Sequence, residues 1–487
     1  MIKKYKKHIL IISIFKLLIL FLLPLTGDEA YFIKWANNLS TGYYDHPPMV
    51  GWLIYLMQYI KNDYIIFRLF SFFTVFIVSY LIYKILLEFN IKKENAIFPA
   101  LLFIFMPIDI LILLFTNDIP LLLFGLLGTY FLLKSFKTNI YTNAILSGIF
   151  LGFSFLSKYF VSFLMLGLLI YILIIYRKKA VKNIIIIFLI VLIFILQNLY
   201  FNYNSCWNNI MFNFFARTEN LEYNMKTLFG YIFILMYLIT PWGIYYIYKS
   251  KENINNKKLF VFILSAISIG LSIFLVVSLK KKIGLHWLLL FMPYIFMLFS
   301  FIKEKYKIKF IKYNLIFTYI HITVLMVILL MPLKQFEYNK KYKSIILFTK
   351  TNKICNQLES YKNLYTTGYT SASLLSYHCK KDIKMIMNNS KYGRLDDKLV
   401  NIKELENKTI YIFNKNEPNI KELNKIFENV RIDSFKVMNK LFYISKCENL
   451  KYNEYKKEYL DIQKERFYDI PSWLPIGECY FYNRYYK

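Results

Sequence analysis

Gly27-Asp-Glu-Ala-Tyr-Phe-Ile-Lys-Trp35 and, a few residues on, Gly42-Tyr-Tyr-Asp-His-Pro-Pro48 follow directly on a hydrophobic run from Ile9 to Leu25. Three carboxylates (Asp28, Glu29, Asp45), a histidine (His46) and a lysine (Lys34) therefore crowd into a short polar loop at the end of an apolar span. Ionisable groups at a membrane surface are costly to keep and mark function. The run before them follows Lys3, Lys4, Lys6 and Lys7 and has no small-residue cleavage site after it, so it reads as a retained first transmembrane helix with a cytoplasmic N-terminus.

The rest of the chain fits that reading. Of 487 residues 57% are hydrophobic and 20% aromatic, more apolar surface than a soluble domain needs. A helical span takes about 20 apolar residues. On that measure about 11 windows qualify, near 9–25, 64–87, 95–115, 119–135, 141–157, 160–176, 184–202, 229–248, 259–279, 287–302 and 315–333. The net charge of +31 is explained by basic cytoplasmic loops rather than nucleic-acid binding. Lys84–Glu94, Lys134–Asn139, Arg177–Asn183, Lys249–Lys258 and Lys303–Lys312 are short, basic and plain. The alternate set, Gly27–Asp63, Thr116–Asp118, Ser157–Tyr159, Tyr203–Lys226 and Lys280–His286, holds nearly every residue with chemical potential. The site is thus expected on the outer face. Lys280-Lys-Lys282 breaks the charge rule there, as a local exception or an anion site.

Hydropathy falls after about residue 334. Residues 1–334 read as a transmembrane domain, with its catalytic loop at about 26–63, and residues 335–487 as a small extracytoplasmic α/β domain. Ser344–Thr349, Asn363–Tyr369, Lys384–Met387, Thr409–Phe413 and Leu441–Ile444 read as strands. Asn352–Ser360 and Ile420–Val430 have helical spacing. The five cysteines form no CxxC pair, which leaves zinc-ribbon and thioredoxin-like sites without support. Pairing among Cys355, Cys379, Cys447 and Cys479, or free buried thiols, stays open. Neither GxGxxG nor a P-loop is present, so a nucleotide-binding domain is unsupported.

Within the first loop, Tyr31, Phe32, Trp35 and Leu39 have helical spacing and suit a helix along the bilayer surface. Pro47 and Pro48 forbid its simple continuation and favour extended backbone at Asp45 and His46. The plainer alternative is that Asp28 and Glu29 only cap the surface helix. Asp45, His46 and Asp118 are also suitable donors for a divalent metal, although an adjacent Asp-His pair alone does not close such a site.

The segment Gly27-Asp-Glu-Ala-Tyr-Phe-Ile-Lys-Trp-Ala-Asn-Asn-Leu39 with Gly42-Tyr-Tyr-Asp-His-Pro-Pro-Met-Val-Gly-Trp-Leu53 strongly resembles the first periplasmic loop of GT-C superfamily membrane glycosyltransferases. The resemblance is to the dolichyl-phosphate-mannose–protein-mannosyltransferase-like group, which includes ArnT-like and Rgt-like enzymes. Weaker matches recur in order. Thr116-Asn-Asp-Ile-Pro120 resembles a T-P-D-x-P motif, with Asn117 in place of proline. Gly152…Leu156-Ser-Lys-Tyr159 resembles G-x-x-x-L-S-K-Y. Asn202…Trp207, Phe212-Asn-Phe214 and Arg217 resemble W-N…W-x-S-F-x-F…R, with Phe201 at the first tryptophan. Leu285-His-Trp287 resembles N-W-x-A, with His286 replacing the polar residue. Together these cover roughly residues 20–300.

The resemblance implies a polytopic α-helical fold and transfer of a sugar from a polyprenyl-phosphate donor to an envelope acceptor. That acceptor is lipid A or lipopolysaccharide, another glycan or a protein, and the reaction runs on the periplasmic face of the inner membrane by inverting displacement. It implies Asp28 as the reaction carboxylate, with Glu29 beside it supporting the loop or the sugar. Tyr44, Asp45 and His46 form a rigid segment facing the sugar phosphate. Asp118, Lys158, Tyr159, Arg217, His286 and Trp287 are further substrate contacts, with Lys158 and Arg217 as phosphate partners. Their alternative is snorkelling at helix ends. A divalent ion on Asp45 and His46 is an expectation of the same kind, against His46 donating directly to sugar or phosphate. The rival from another class is a transporter or flippase of a lipid-linked glycan. It would place charges near the midplane and show inverted repeats, and neither is visible.

Overall fold

A computed structural model describes residues 1–107, 109–217 and 222–487. Residue 108 of the expected 95–115 window and residues 218–221 of the expected outer loop lie outside the described residues. The chain forms two compact units. One comprises Met1–Leu23, Ile60–Gln197 and Asn220–Leu330; the other comprises Pro24–Tyr59, Asn198–Glu219 and Met331–Lys487.

The first unit is helical. Among the described residues five helices have the length and composition to cross a membrane: Tyr64–Glu88, Asp118–Ser135, Arg177–Tyr203, Lys257–Ser278 and Glu304–Leu330. Two bent helix pairs raise the number to as many as seven, and shorter apolar helices include Ile140–Phe155, Val161–Ile175 and Leu285–Phe301. The protein is therefore a multi-pass membrane protein. Local chemistry explains why some windows are not single long helices. Thr240 adopts a positive φ of 66° before Pro241. That proline has no N–H to continue the ladder, and Met225–Ile239 and Pro241–Lys249 meet at a 68° bend. Lys93–Ile104 ends just before Met106-Pro107, where the pre-proline residue disfavours helix. Gly128 lets the neighbouring helix approach, since a Cβ there would meet Leu151 at 2.7 Å, and Ser147 Oγ donates to the Gly128 carbonyl at 2.9 Å. Buried Arg68 donates to the carbonyls of Leu20 and Leu23 at 3.1 and 2.7 Å, satisfying acceptors that the end of helix Ile2–Leu22 leaves open.

The second unit is α/β. Strands β1 (Leu364–Thr366), β2 (Lys384–Met385), β3 (Ile410–Asn414), β4 (Phe427–Val437) and β5 (Lys440–Leu450) form one sheet in the order β2-β1-β3-β5-β4. The first three are parallel, and β3-β5-β4 are antiparallel. Its core gathers Ile410, Ile412, Phe427 and Phe481 with Tyr44 and Phe212. Hydropathy placed those last two with the membrane part, because it registers the apolar spans around a loop and not the loop's own packing.

Three expectations are corrected here. Ser344–Thr349 lies in a helix, Tyr342–Thr349, because a short apolar run carries no period that separates strand from helix. The helical expectation over Ile420–Val430 is helix only to Ile426, and β4 begins at Phe427. Helix Gly27–Asn37 exists, but every residue from Glu29 to Ala36 is buried. It packs on Met49–Gln58 and Tyr369–Cys379, so it is a core helix of this unit and not an amphipathic helix with a free face. Two disulfides, Cys206–Cys479 and Cys355–Cys379, leave Cys447 as a buried free thiol. Cys206, outside the four tail cysteines, supplies one partner.

Candidate active site

Thr26 starts the site. Its side chain accepts from the Glu29 N–H at 3.3 Å, and Glu29 Oε2 accepts from the Thr26 N–H and hydroxyl at 3.2 and 2.9 Å. This reciprocal capping box opens helix Gly27–Asn37. It holds the Glu29 carboxylate in the helix cap. Asp28, on the first turn, points elsewhere. Its carboxylate is accessible to solvent and accepts from the Tyr369 hydroxyl at 3.1 Å. Crowding by the surrounding protein pushes the Asp28 carboxyl above its usual range; the Tyr369 hydrogen bond works against that, and neighbouring Glu29 adds to it. A raised pKa makes a better proton acceptor near neutral pH.

The Tyr43–His46 loop is clamped from below. Asn209 Nδ2 donates to the Tyr43 carbonyl at 2.8 Å, and Asn213 Nδ2 donates to the Asp45 carbonyl at 3.0 Å. Tyr43 stacks on Trp35 with ring centroids 4.4 Å apart and donates to the Trp35 carbonyl at 2.8 Å. His46 lies beside the same indole, 6.4 Å between centroids. Pro48 then serves as the N-cap of helix Met49–Gln58. Asp45 is buried, and its Oδ1 has no hydrogen-bond partner. Burial drives its carboxyl up to about 7; the Arg217 charge opposes this, Asp28 reinforces it, and the Gly393 N–H and Arg394 oppose it further. Arg217 is aimed by Asn213 Oδ1, which accepts from it at 3.1 Å, and by the Phe212 ring, 5.3 Å away. Asp28, Tyr44, Asp45, His46 and Arg217 are thus brought together in one unit.

The other expected contacts lie in the helical unit. Lys158 Nζ donates to Asp118 Oδ1 at 2.8 Å, with both side chains about 5% exposed. The sequence offered them separately, to phosphate and to metal or sugar; here each neutralises the other. Lys158 also lies over the Phe160 ring at 5.0 Å, and Phe160 meets Trp287 at 5.3 Å. Lys281 of the triple lysine lies 5.9 Å over Trp287. Tyr159 packs on Phe155, and His286 is solvent-exposed.

Sequence reasoning missed Tyr369, Gly393 and Arg394. They sit in the polar tail, far along the chain from Asp28, and no motif flags them. Gly393, with φ +73°, is the legible clue, because a Cβ there would strike the Tyr369 Cβ at 2.1 Å. Tyr369→Phe keeps the ring packed on Tyr31 and removes only the hydroxyl. Because that bond holds the Asp28 pKa down, its loss moves the acid limb of the pH–rate profile to higher pH. Turnover should fall about tenfold, the worth of a hydrogen bond to a charged group. An unmoved acid limb would remove Tyr369 from the site.

The residues do not fit a closed metal site. Among the described residues no group of three or more His, Cys, Asp or Glu side chains gathers to hold an ion, and Asp45 with His46 provides two donors where structural sites use four.

The family model described as dolichyl-phosphate-mannose-protein mannosyltransferase matches residues 45–201. The lipid A galacturonosyltransferase RgtD of Rhizobium johnstonii is 25% identical over 251 residues, 48% of this chain and 51% of that protein. The match thus spans about half the length of this curated relative. The fold matches the crystal structure of ArnT from Cupriavidus metallidurans bound to undecaprenyl phosphate, with a TM-score of 0.63 and 9% identity over 91% of this chain and 98% of that one. The apo structure of the same ArnT matches at a TM-score of 0.59 and 10% identity with equal coverage. The family model and RgtD are glycosyltransferases by name and give no support to the flippase alternative. The ordered loop motifs, the family model over residues 45–201 and the 25% identical transferase point the same way, and the fold is shared with ArnT: this chain is similar to GT-C membrane glycosyltransferases of the ArnT- and Rgt-like group.

Proposed function

We propose that the protein transfers a sugar from a polyprenyl-phosphate donor to an envelope acceptor, with lipid A the leading acceptor class, at the periplasmic face of the inner membrane. The observation that carries this reading is the pairing of an accessible carboxylate, Asp28, with a buried one, Asp45, beside a positioned guanidinium, Arg217. The relatives, a lipid A galacturonosyltransferase and an ArnT bound to undecaprenyl phosphate, support the substrate classes. Alternation of basic and chemically rich loops supports the outer-face placement.

In this reading an acceptor hydroxyl oxygen attacks the anomeric carbon of the donor. The bond from that carbon to the phosphate oxygen breaks, and its electron pair leaves on polyprenyl phosphate. The hydroxyl proton passes to the Asp28 carboxylate. Attack opposite the leaving group inverts the anomeric centre. Arg217 stabilises the negative charge growing on the phosphate, the type of interaction that lowers a barrier most. No step is routed through a metal ion.

Asp45 gives the reaction a pH signature. Below about pH 7 it is protonated, and the Arg217 charge is opposed by one carboxylate fewer. Above that it ionises and competes with the donor phosphate, whose own charge does not change in this range. Donor KM is therefore expected to rise through pH 7 in the wild type, and the rise should vanish in Asp45→Asn. Release of polyprenyl phosphate from a purified donor, measured against pH, checks both. A donor KM flat across pH 6–8 would contradict this role.

A further inference from the structure

Tyr203 ends the membrane-spanning helix Arg177–Tyr203, and the loop Asp469–Glu478 is tied to that end. The Gly477 N–H donates to the Tyr203 carbonyl at 3.2 Å, and the Cys206 N–H donates to the Glu478 carbonyl at 3.4 Å. Trp207 Nε1 donates to the Pro475 carbonyl at 2.8 Å, and a disulfide joins Cys206 to Cys479. The loop lies close on the helix end, since a Cβ at Gly477 would fall 2.3 Å from the Tyr203 ring. At its other base Ile470 packs on the core of the α/β unit. The tip is turned out of that core. The Leu474 N–H donates to the Pro471 carbonyl at 2.9 Å and closes a turn. Trp473 is left 73% exposed and Ile476 49%.

Large apolar side chains exposed together mark an interaction surface, and the neighbouring helix end says what covers this one. The most apolar stretch of that helix is only 22% buried, so most of its surface meets lipid. Its 27 residues are roughly 40 Å long at about 1.5 Å per residue. The hydrocarbon core is about 30 Å thick, so the helix end reaches the headgroups. Leu199, Tyr200 and Tyr203 are exposed on its last turns. Tyrosine and tryptophan collect at that level, with the ring in the acyl boundary and the polar edge among the headgroups.

We infer that the loop Asp469–Glu478 is an interfacial anchor whose Trp473 and Ile476 enter the headgroup–acyl boundary of a phospholipid bilayer. They extend the lipid-facing surface of the helix end onto a second piece of chain. The loop carries Asp469 and Glu478 and no lysine or arginine. Burial of apolar surface therefore drives the insertion, not attraction to anionic lipid. The use of the anchor rests on the transferase reading. From the tied Cys206-Trp207 the chain runs straight into the segment that carries Asn209, Asn213 and Arg217. Fixing the one sets the height of the other against the lipid phosphates.

Fluorescence tests this on the whole chain in nanodiscs of neutral phosphatidylcholine. The chain has six tryptophans, and the difference between wild type and Trp473→Phe isolates the signal of Trp473. Lipid brominated near the headgroup end of its acyl chains is expected to remove most of that signal, and aqueous iodide to leave it. A signal quenched by iodide and untouched by brominated lipid overturns the inference. So does a signal shielded from both, which would make a second copy of the chain the cover. Trp473→Ser is expected to raise the donor KM several-fold with kcat kept; an unchanged KM overturns the part of the anchor in placing Arg217. Both substitutions fall on an exposed side chain, so the fold is kept. Polyprenyl-phosphate release is measured on the same nanodiscs. Release with Trp473 open to iodide removes the anchor alone. Quenching by lipid without release removes the transferase reading and leaves the anchor.

Discussion

Asp28→Asn abolishes sugar transfer, with a fall of about a thousandfold or more, the range expected when a positioned general base is lost. The substitution keeps the side chain's size and an oxygen to accept from Tyr369, and it removes the negative charge. Because Asp28 is accessible and outside the core, the variant should insert, fold and bind donor much as the wild type does. The effect then falls on kcat and not on KM, the pattern of an interaction made in the transition state. A thousandfold loss accompanied by aggregation would not count; monodisperse protein with unchanged donor affinity is the required control. An acceptor that presents a phosphate oxygen is already ionised and needs no base, so a small Asp28→Asn effect with such an acceptor would identify the nucleophile.

The second large effect is on stability. Arg394 is 2% exposed and forms a bidentate pair with Asp397, while also donating to the carbonyls of Asn388 and Ser390. Tyr468 donates to the same Asp397 carboxylate at 2.8 Å. Arg394→Met leaves that carboxylate buried without its cation. Breaking a buried pair this way costs about 3–5 kcal/mol, a large share of the about 5–15 kcal/mol by which a domain is stable, so the segment around it should open. The same segment carries Gly393, whose N–H donates to Asp45, so activity should be lost with the fold. Limited proteolysis of the α/β unit reads the effect. The double change Arg394→Met with Asp397→Leu should recover part of the loss, because the orphaned charge is then gone. Equal damage from the single and double variants would show that the carbonyl contacts, not the ion pair, hold the segment.

The membrane part was legible because its physics is written locally. Apolar windows, basic loops and the Pro47-Pro48 stop act through neighbouring residues. The Thr26-x-x-Glu29 capping box was equally readable as a pattern. Asn209 and Asn213 fall within or beside the motif around Phe212 that was singled out for its aromatics and Arg217, yet their amides clamp the catalytic loop. The α/β unit was legible as a class and not in detail. Short runs such as Ser344–Thr349 lack a decisive period, and β4 continues straight from a helix at Phe427. Partnerships across long sequence separations were invisible. Cys206 with Cys479, Asp28 with Tyr369 and Lys34 with Asp396 at 2.6 Å each join residues more than 250 positions apart, and no local rule selects them.

The most direct test of the central claim is a reconstituted transfer assay. Purified protein in proteoliposomes receives a radiolabelled polyprenyl-phosphate sugar and a lipid A acceptor, and both labelled acceptor and free polyprenyl phosphate are quantified. One mole of each per mole of donor consumed, lost together in Asp28→Asn, is the predicted result. Donor that crosses the bilayer intact, with neither product formed by the wild type, would contradict it.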